Sequence, residues 1–515
     1  MNVVELLVSS ARRRPDHPAW TFGDRTASYR DLAARAQAVA RGLSERGIRP
    51  GDRVVIDLPN SPTLIEVLFG CFWGGFVAVP VNWHLHPGEV AFIVRNCGAR
   101  AVFISGAAPG ELRSDIGSPL LIDADGDGAD ETGGLGYTEL IGDDSPLPPR
   151  ECAGTDPAWL FYTSGTTGRP KGAILGHRNL LAMTLNYLGD IDPIADDAVF
   201  LHAAPLTHGS GLYLLPALAR SASNIILDTG KFGAAAYFAA VERHRVTHAA
   251  FLAPTMLHRL VADGNRDGRD IASLRSIVVG GAPLYAHDLA AARALFGPII
   301  TEIYGQGEAP MTITTMRAHD PDATSHPGSS GRAFTGVVVR VGDGNGQWAG
   351  PGVPGEVCVR GDVVMAGYWD NPDATAAALT DGWLHTGDVG YLDDEGYLFL
   401  TDRVKDVIIT GGSNVYPREV EEVLLQHDSI AEASVIGIPD REWGESVCAV
   451  VVPAPEAAVS EQELVEFCRA HLASFKKPRR FVIAETLPKN STGKVLKREL
   501  RKIVDDPDGT PVSSH

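Results

Sequence analysis

The sequence predicts an α/β protein: a large N-terminal domain of several subdomains, with mainly parallel sheets flanked by helices, followed by a small α+β C-terminal domain. Three observations carry this. Helical and strand patterns alternate along most of the 515 residues, as buried parallel strands joined by helices require. A chain of that length exceeds what one hydrophobic core organises. The elements also shorten after "DRVKD" at Asp402–Asp406, which marks a boundary.

Taken in order, "DLAARAQAVARGLSERG" (Asp31–Gly47) places Leu32, Ala36, Val39 and Leu43 near helical spacing, with Asp31 as the expected N-cap and Gly47 as the stop. "RVVIDL", "ARAVFIS", "HAAFLA" and "LRSIVVG" read as buried strands. "VLFGCFWGGFVAVPV" (Val67–Val81) is too short to span a bilayer and is broken by Gly70, Gly74, Gly75 and Pro80, so it reads as a buried helix turning into a buried strand. Beyond the boundary come a helix from Arg418, strands "EASVIGI" and "SVCAVVVP", a helix from Glu461 and a strand at "RRFVIAE". The expected division is 1–402 and 406–515, joined by 403–405.

Composition narrows the partners. The formal charge of −19, from 45 Lys+Arg against 64 Asp+Glu, argues against broad nucleic-acid binding, which relies on basic surface. The six cysteines are scattered, with no C-x-x-C pair and no zinc spacing, so a reduced, cytoplasmic chain is the simpler expectation. The N-terminus lacks the order of a signal peptide.

"TSGTTGRPKG" (Thr163–Gly172) follows the apolar strand "AWLFY" and gathers glycines, hydroxyls and one lysine. Such a loop can turn backbone N–H groups toward an anion. It differs from the phosphate loop of nucleoside triphosphatases, because Arg169 and Pro170 separate Gly168 from Lys171. Composition alone leaves open a plain Gly/Thr surface turn.

Together with "IYGQGE" (Ile303–Glu308), the run Trp383–Pro417 and "LPKNSTGKVLKREL" (Leu487–Leu500), the loop resembles the ordered motifs of the adenylate-forming superfamily. That superfamily includes acyl- and aryl-CoA synthetases, adenylation domains of nonribosomal peptide synthetases and firefly luciferases. The resemblance covers nearly the whole chain and is strongest toward a fatty-acyl or other carboxylate–CoA ligase. It implies that ATP activates a carboxylic acid to an acyl-AMP with release of pyrophosphate, after which the acyl group passes to coenzyme A.

The roles it implies fall residue by residue. Lys494 resembles the C-terminal catalytic lysine, and Glu308 the Mg2+-binding glutamate. Thr163, Ser164, Gly165, Thr166, Thr167, Gly168 and Lys171 would hold ATP phosphates. Asp388 would accept both ribose hydroxyls, with Arg403 assisting. Tyr304 would stack on adenine beside Gly281, Ala282 and Pro283, with Glu302 and Gly305 adjacent. Lys405 matches the hinge about which the small, mobile domain rotates between half-reactions. Gly412, Trp443, Phe475, Lys477 and Arg479 resemble the coenzyme A face. His208, Gly209, Ser210, Tyr213, Gly307, Ala309 and Met311 would wall the acid pocket, His208 nearest the carboxylate.

Taken singly, several of these have plainer readings: Lys494 a surface lysine, Asp388 a turn cap, "KKPRR" a solvated face. Where the family usually carries threonine, this chain has Gly307, and the missing side chain is expected to leave room beside the acid pocket. The segment "APLTHGSGLYLLPAL" lacks the aspartate with which amino-acid-activating domains hold an ammonium group, which favours a hydrophobic acid: fatty, aryl or polycyclic. The expected partners are that acid, ATP and coenzyme A, with no nucleic acid and no membrane span, in a monomer or homodimer. An enzyme that loads an acyl-carrier protein would use the same adenylation residues.

Overall fold

The computed structural model describes residues 1–106, 119–125, 135–142, 145–163, 170–227, 232–263, 268–320, 325–344, 346–403, 406–410, 413–440, 443–455, 457–489 and 494–505. Among these described residues the strands form four sheets. Fold class and sequence pattern agree: the first two sheets are mainly parallel and flanked by helices.

One sheet of seven strands runs in the order Leu135–Gly136, Leu120–Asp123, Ala101–Ile104, Arg53–Asp57, Val77–Pro80, Pro157–Thr163 and Lys171–Gly176. All its pairings are parallel except the last. A nine-stranded sheet has a parallel centre of six strands, including His248–Leu252, Ser276–Val279 and Ile300–Tyr304. Antiparallel strands close its two edges.

The helix expected over 31–47 spans Tyr29–Glu45. Ser28, not Asp31, is its N-cap. Asp31 is the third helical residue and returns a carboxylate to the Ser28 N–H at 2.9 Å, completing a capping box. Its buried side packs on the helix Pro62–Gly74, whose residues from Leu64 onward are all buried. That second helix ends at Gly75, in the left-handed region with φ 70°, and the chain enters the buried strand Val77–Pro80. Sequence and structure agree on this helix-to-strand turn. Among the described residues no helix is long and apolar enough to cross a membrane.

The third sheet is antiparallel and contains Val338–Gly342, Gly355–Arg360, Trp383–Leu392 and Leu398–Arg403. The fourth is built after Asp406, from Ile408–Thr410, Ser413–Val415, Ile430–Asp440, Gly444–Pro453 and Arg480–Ile483. The helix Pro417–Leu424 ties this last unit to the rest. Tyr285 donates to Glu421 at 2.9 Å, and Arg418 donates to the carbonyls of Leu284 and Leu400. Lys497 stands between Asp402 (3.6 Å) and Glu421 (4.0 Å). Docking therefore falls directly after Gly281–Pro283.

Candidate active site

In open α/β sheets, ligands bind beyond the carboxyl ends of the strands. Ile300–Tyr304 delivers Tyr304 to such an end. The chain then turns sharply, with the Gln306 N–H donating to the Ala309 carbonyl at 3.1 Å. Gly305 is required here, since a Cβ would lie 2.6 Å from the Met311 nitrogen. Met311 pays part of the strain, with φ at 64°.

A second element brings the acceptor. Between strands Gly355–Arg360 and Trp383–Leu392, Cys358 faces His385 while Glu356 faces Val389. Thr386, Gly387 and Asp388 therefore bulge outward opposite Val357, a device that re-aims a side chain. Asp388 is buried. Its Oδ2 accepts from the Tyr304 hydroxyl at 2.7 Å and from Gln306 Nε2 at 2.6 Å. Its Oδ1 lies 3.1 Å from Arg403 Nε, because Arg403 is directly opposite in register. Burial, with the neighbouring Asp388 charge, holds the Tyr304 hydroxyl protonated.

Four residues beyond Tyr304, Glu308 forms a separate cluster. Its Oε1 accepts from the Tyr368 hydroxyl at 2.7 Å and from Thr163 Oγ1 at 3.3 Å. Thr163 pairs with Lys171 across the two strands, and Lys171 Nζ sits 5.2 Å above the Tyr368 ring. A half-buried carboxylate beside a hydroxyl is a hard-oxygen donor set, which suits Mg2+ with its remaining positions on water and phosphate. Ser164, Gly165, Thr166, Thr167 and Gly168 lie outside the described residues.

Apolar surface lies on the other side of the same loop. A Cβ on Gly209 would meet Met311 Cε and Phe251 Cδ1 at 3.0 Å, and one on Gly281 would meet Phe251 Cζ at 3.3 Å. His208 meets Phe161 edge-on at 5.5 Å between ring centroids and pairs with Thr207 at 3.0 Å. Burial lowers the His208 pKa to about 4, so its imidazole is neutral at pH 7. Ala309 is fully buried behind this wall.

Two expectations change here. Gly307 leaves no room, because a Cβ there would fall 2.5 Å from Thr163 Cγ2 and 2.7 Å from Phe161 Cδ1. Ser210 turns inward to His202 at 2.9 Å rather than toward the wall. Tyr213 is fully buried between Tyr187, at 4.9 Å between ring centroids, and Phe251 of the wall, edge-on at 6.5 Å.

Glu302 is set among Arg418, Glu422 and Arg293, and burial pushes its pKa up to about 7. It thus faces the docked helix. Gly281 and Pro283 are exposed, and Ala282 is half-buried.

On the C-terminal unit, Arg479 lies 4.9 Å over the Trp443 ring, and both Trp443 and Phe475 are exposed. Burial raises the Cys468 thiol pKa and the Lys477 charge partly offsets that rise, while Lys476 holds Glu419 at 2.6 Å. Lys494 is half-buried next to the bridge between Lys489 and Val495. Lys405 and Gly412 lie outside the described residues. Sequence reasoning missed Phe161, Phe251, Gln306 and Tyr368. Gln306 stands inside the quoted "IYGQGE", whereas the others come from separate strands and loops.

A parallel-sheet protein with these two clusters on one loop falls in the class of adenylate-forming enzymes. The chain belongs to the AMP-binding enzyme family: that family's model matches residues 7–369, and its C-terminal domain model matches 419–494. It is similar to the feruloyl-CoA synthase of Amycolatopsis sp, 38% identical over 498 residues, with 96% of this chain and 97% of that protein covered. It is also similar to the fatty acid–[acyl-carrier-protein] ligase ScoC of Streptomyces coeruleorubidus, 36% identical, with 95% and 94% covered. Among solved structures it resembles ATP-bound MatB from Rhodopseudomonas palustris, with a TM-score of 0.88, 30% identity, and 99% and 100% covered.

Proposed function

We propose that this protein, an AMP-forming carboxylate–CoA ligase, activates an apolar carboxylic acid. The observation that carries the assignment is the loop Tyr304–Glu308, which joins the Asp388 cluster to the Glu308 cluster within five residues. Asp388 is the acceptor for two vicinal ribose hydroxyls, since a carboxylate has lone pairs for both donors. Arg403 fixes its orientation.

The substrate carboxylate is already ionised at neutral pH, with a reference pKa of about 4. The step therefore needs no general base. One carboxylate oxygen bonds to the α-phosphorus as pyrophosphate leaves. The obstacle is an anion approaching a polyanion. Lys494 and Lys171 offset that repulsion, and neutral His208 orients the carboxylate. Glu308 and Thr163 would hold Mg2+, which supplies charge stabilisation on the phosphoryl oxygens. In the second step the thiol sulfur of coenzyme A bonds to the acyl carbon, AMP leaves, and the thiol proton passes to solvent. Trp443, Phe475, Lys477 and Arg479 are the candidates for coenzyme A contact.

The Phe161, Phe251 and Met311 wall supports an apolar acid. Lys494→Ala is expected to abolish acyl-AMP formation while leaving thioesterification of supplied acyl-AMP largely intact. Equal loss in both half-reactions would remove Lys494 from this role. The relative that loads a carrier protein favours one second reading, in which a carrier-protein thiol replaces coenzyme A. Competition between the two thiols in a thioester assay separates them.

A further inference from the structure

At the base of the bulge that presents Asp388, three unlike ligands converge. Glu356 Oε2 lies 2.9 Å from His385 Nδ1, and Cys358 Sγ lies 3.7 Å from the same nitrogen. All three ligand atoms fall within 4.8 Å of one another. The fold produces this directly: Glu356 and Cys358 share one face of their strand, and His385 is the cross-strand partner of Cys358. The Cys358 residue is buried, but the His385 and Glu356 side chains are 34% and 32% exposed, which opens a path from solvent.

We propose that Glu356, Cys358 and His385 form a binding site for a thiophilic divalent cation of the zinc type, separate from the Mg2+ position at Glu308. Bonds of about 2.0 Å to nitrogen and about 2.3 Å to sulfur place tetrahedral ligand atoms roughly 3.5 Å apart. The Cys358–His385 spacing already matches, and Glu356 has to withdraw by only a fraction of an ångström. A sulfur and an imidazole nitrogen select zinc-type metals over magnesium and calcium, which prefer oxygen. Three protein ligands leave a fourth position for water, as in exchangeable rather than structural sites. On binding, the Cys358 proton leaves to solvent, His385 contributes neutral Nδ1, and Glu356 contributes a carboxylate oxygen.

The site has a route to the nucleotide turn. Glu356 Oε1 accepts the Gly387 N–H at 3.1 Å, so Glu356 clamps the bulge one residue before Asp388. Both oxygens belong to one carboxylate, so a cation that repositions Glu356 Oε2 to bond it competes with that clamp. Metal capture is therefore inhibitory to acid activation, a consequence that rests on the ribose role given to Asp388 above.

The test uses the full chain with Mg2+ in excess and no nucleotide, titrated with Co2+. A near-ultraviolet thiolate-to-cobalt band is expected in the wild type and is expected to vanish in Cys358→Ser. No band, or a band that survives the substitution, overturns the site without touching the ligase assignment. In parallel, Zn2+ is expected to half-inhibit ATP–pyrophosphate exchange at a concentration at least about tenfold lower in the wild type than in Cys358→Ser. The metal-free activity of that variant is expected to be unchanged. Equal Zn2+ sensitivity, with the cobalt band present only in the wild type, overturns the coupling to the nucleotide turn.

Discussion

Tyr368 determines how firmly Glu308 is aimed. Its hydroxyl donates at 2.7 Å, and burial together with the Glu308 charge keeps it protonated. A hydrogen bond to a charged group contributes about 1.5–3 kcal/mol, so Tyr368→Phe is expected to raise the Mg2+ needed for half-maximal ATP–pyrophosphate exchange about tenfold. An unchanged Mg2+ dependence would dismiss Tyr368 from this task. Gly307 is the opposite case, a position with no space. Overpacking typically costs about 1–3 kcal/mol. Gly307→Thr is therefore expected to lower thermal stability and to depress exchange with every acid alike. Normal stability with a narrowed acid range would restore the idea of an open space. The sequence singles out Gly307 but neither its neighbours nor Tyr368. Phe161 and Thr163 come from a strand far earlier in the chain, and only the approach of the seven-stranded sheet to the loop after Tyr304 brings them to Gly307.

Element positions were more legible than element contacts. Period and turn residues foretell the strands Arg53–Asp57, Ala101–Ile104, His248–Leu252 and Ser276–Val279, because burial on both faces demands continuous apolar runs. The bulge at Thr386–Asp388 is invisible in the same way that any register shift is: it depends on which residue of a partner strand stands opposite. The link between the helix Gly209–Leu212 and its two neighbouring strands is similarly hidden. His202 makes that link, with Nδ1 2.9 Å from Ser210 Oγ and Nε2 3.0 Å from Asn224 Oδ1. Burial lowers the His202 pKa to about 4 from an ordinary 6.5. Between these values the unfolded chain binds a proton that the folded chain refuses. The His202 contribution is thus complete above about pH 6.5 and is lost as pH falls toward about 4. Urea unfolding of wild type and His202→Asn is expected to show a stability gap that shrinks from pH 7 to about pH 4.5. A gap independent of pH would contradict a neutral, structural His202.

At the scale of the whole molecule, the candidate site draws on three of the four sheets of the described residues and on the unit after Asp406. The seven-stranded sheet supplies Phe161, Thr163 and Lys171. The nine-stranded sheet supplies Phe251 and Tyr304, and the third sheet Asp388 and Arg403. The unit after Asp406 carries Lys494 and docks beside Gly281–Pro283 through Arg418 and Glu421. The ordered motifs made the enzyme class legible in the sequence. The acid could not be read there, since its wall is made by contacts between sheets. Acid-dependent ATP–pyrophosphate exchange, run across a panel of carboxylic acids with analysis of the nucleotide product, tests the central claim most directly. Exchange supported by apolar acids, with AMP formed when a thiol is added, is the result expected here. Absence of exchange with every acid, or release of ADP and phosphate instead, would contradict it.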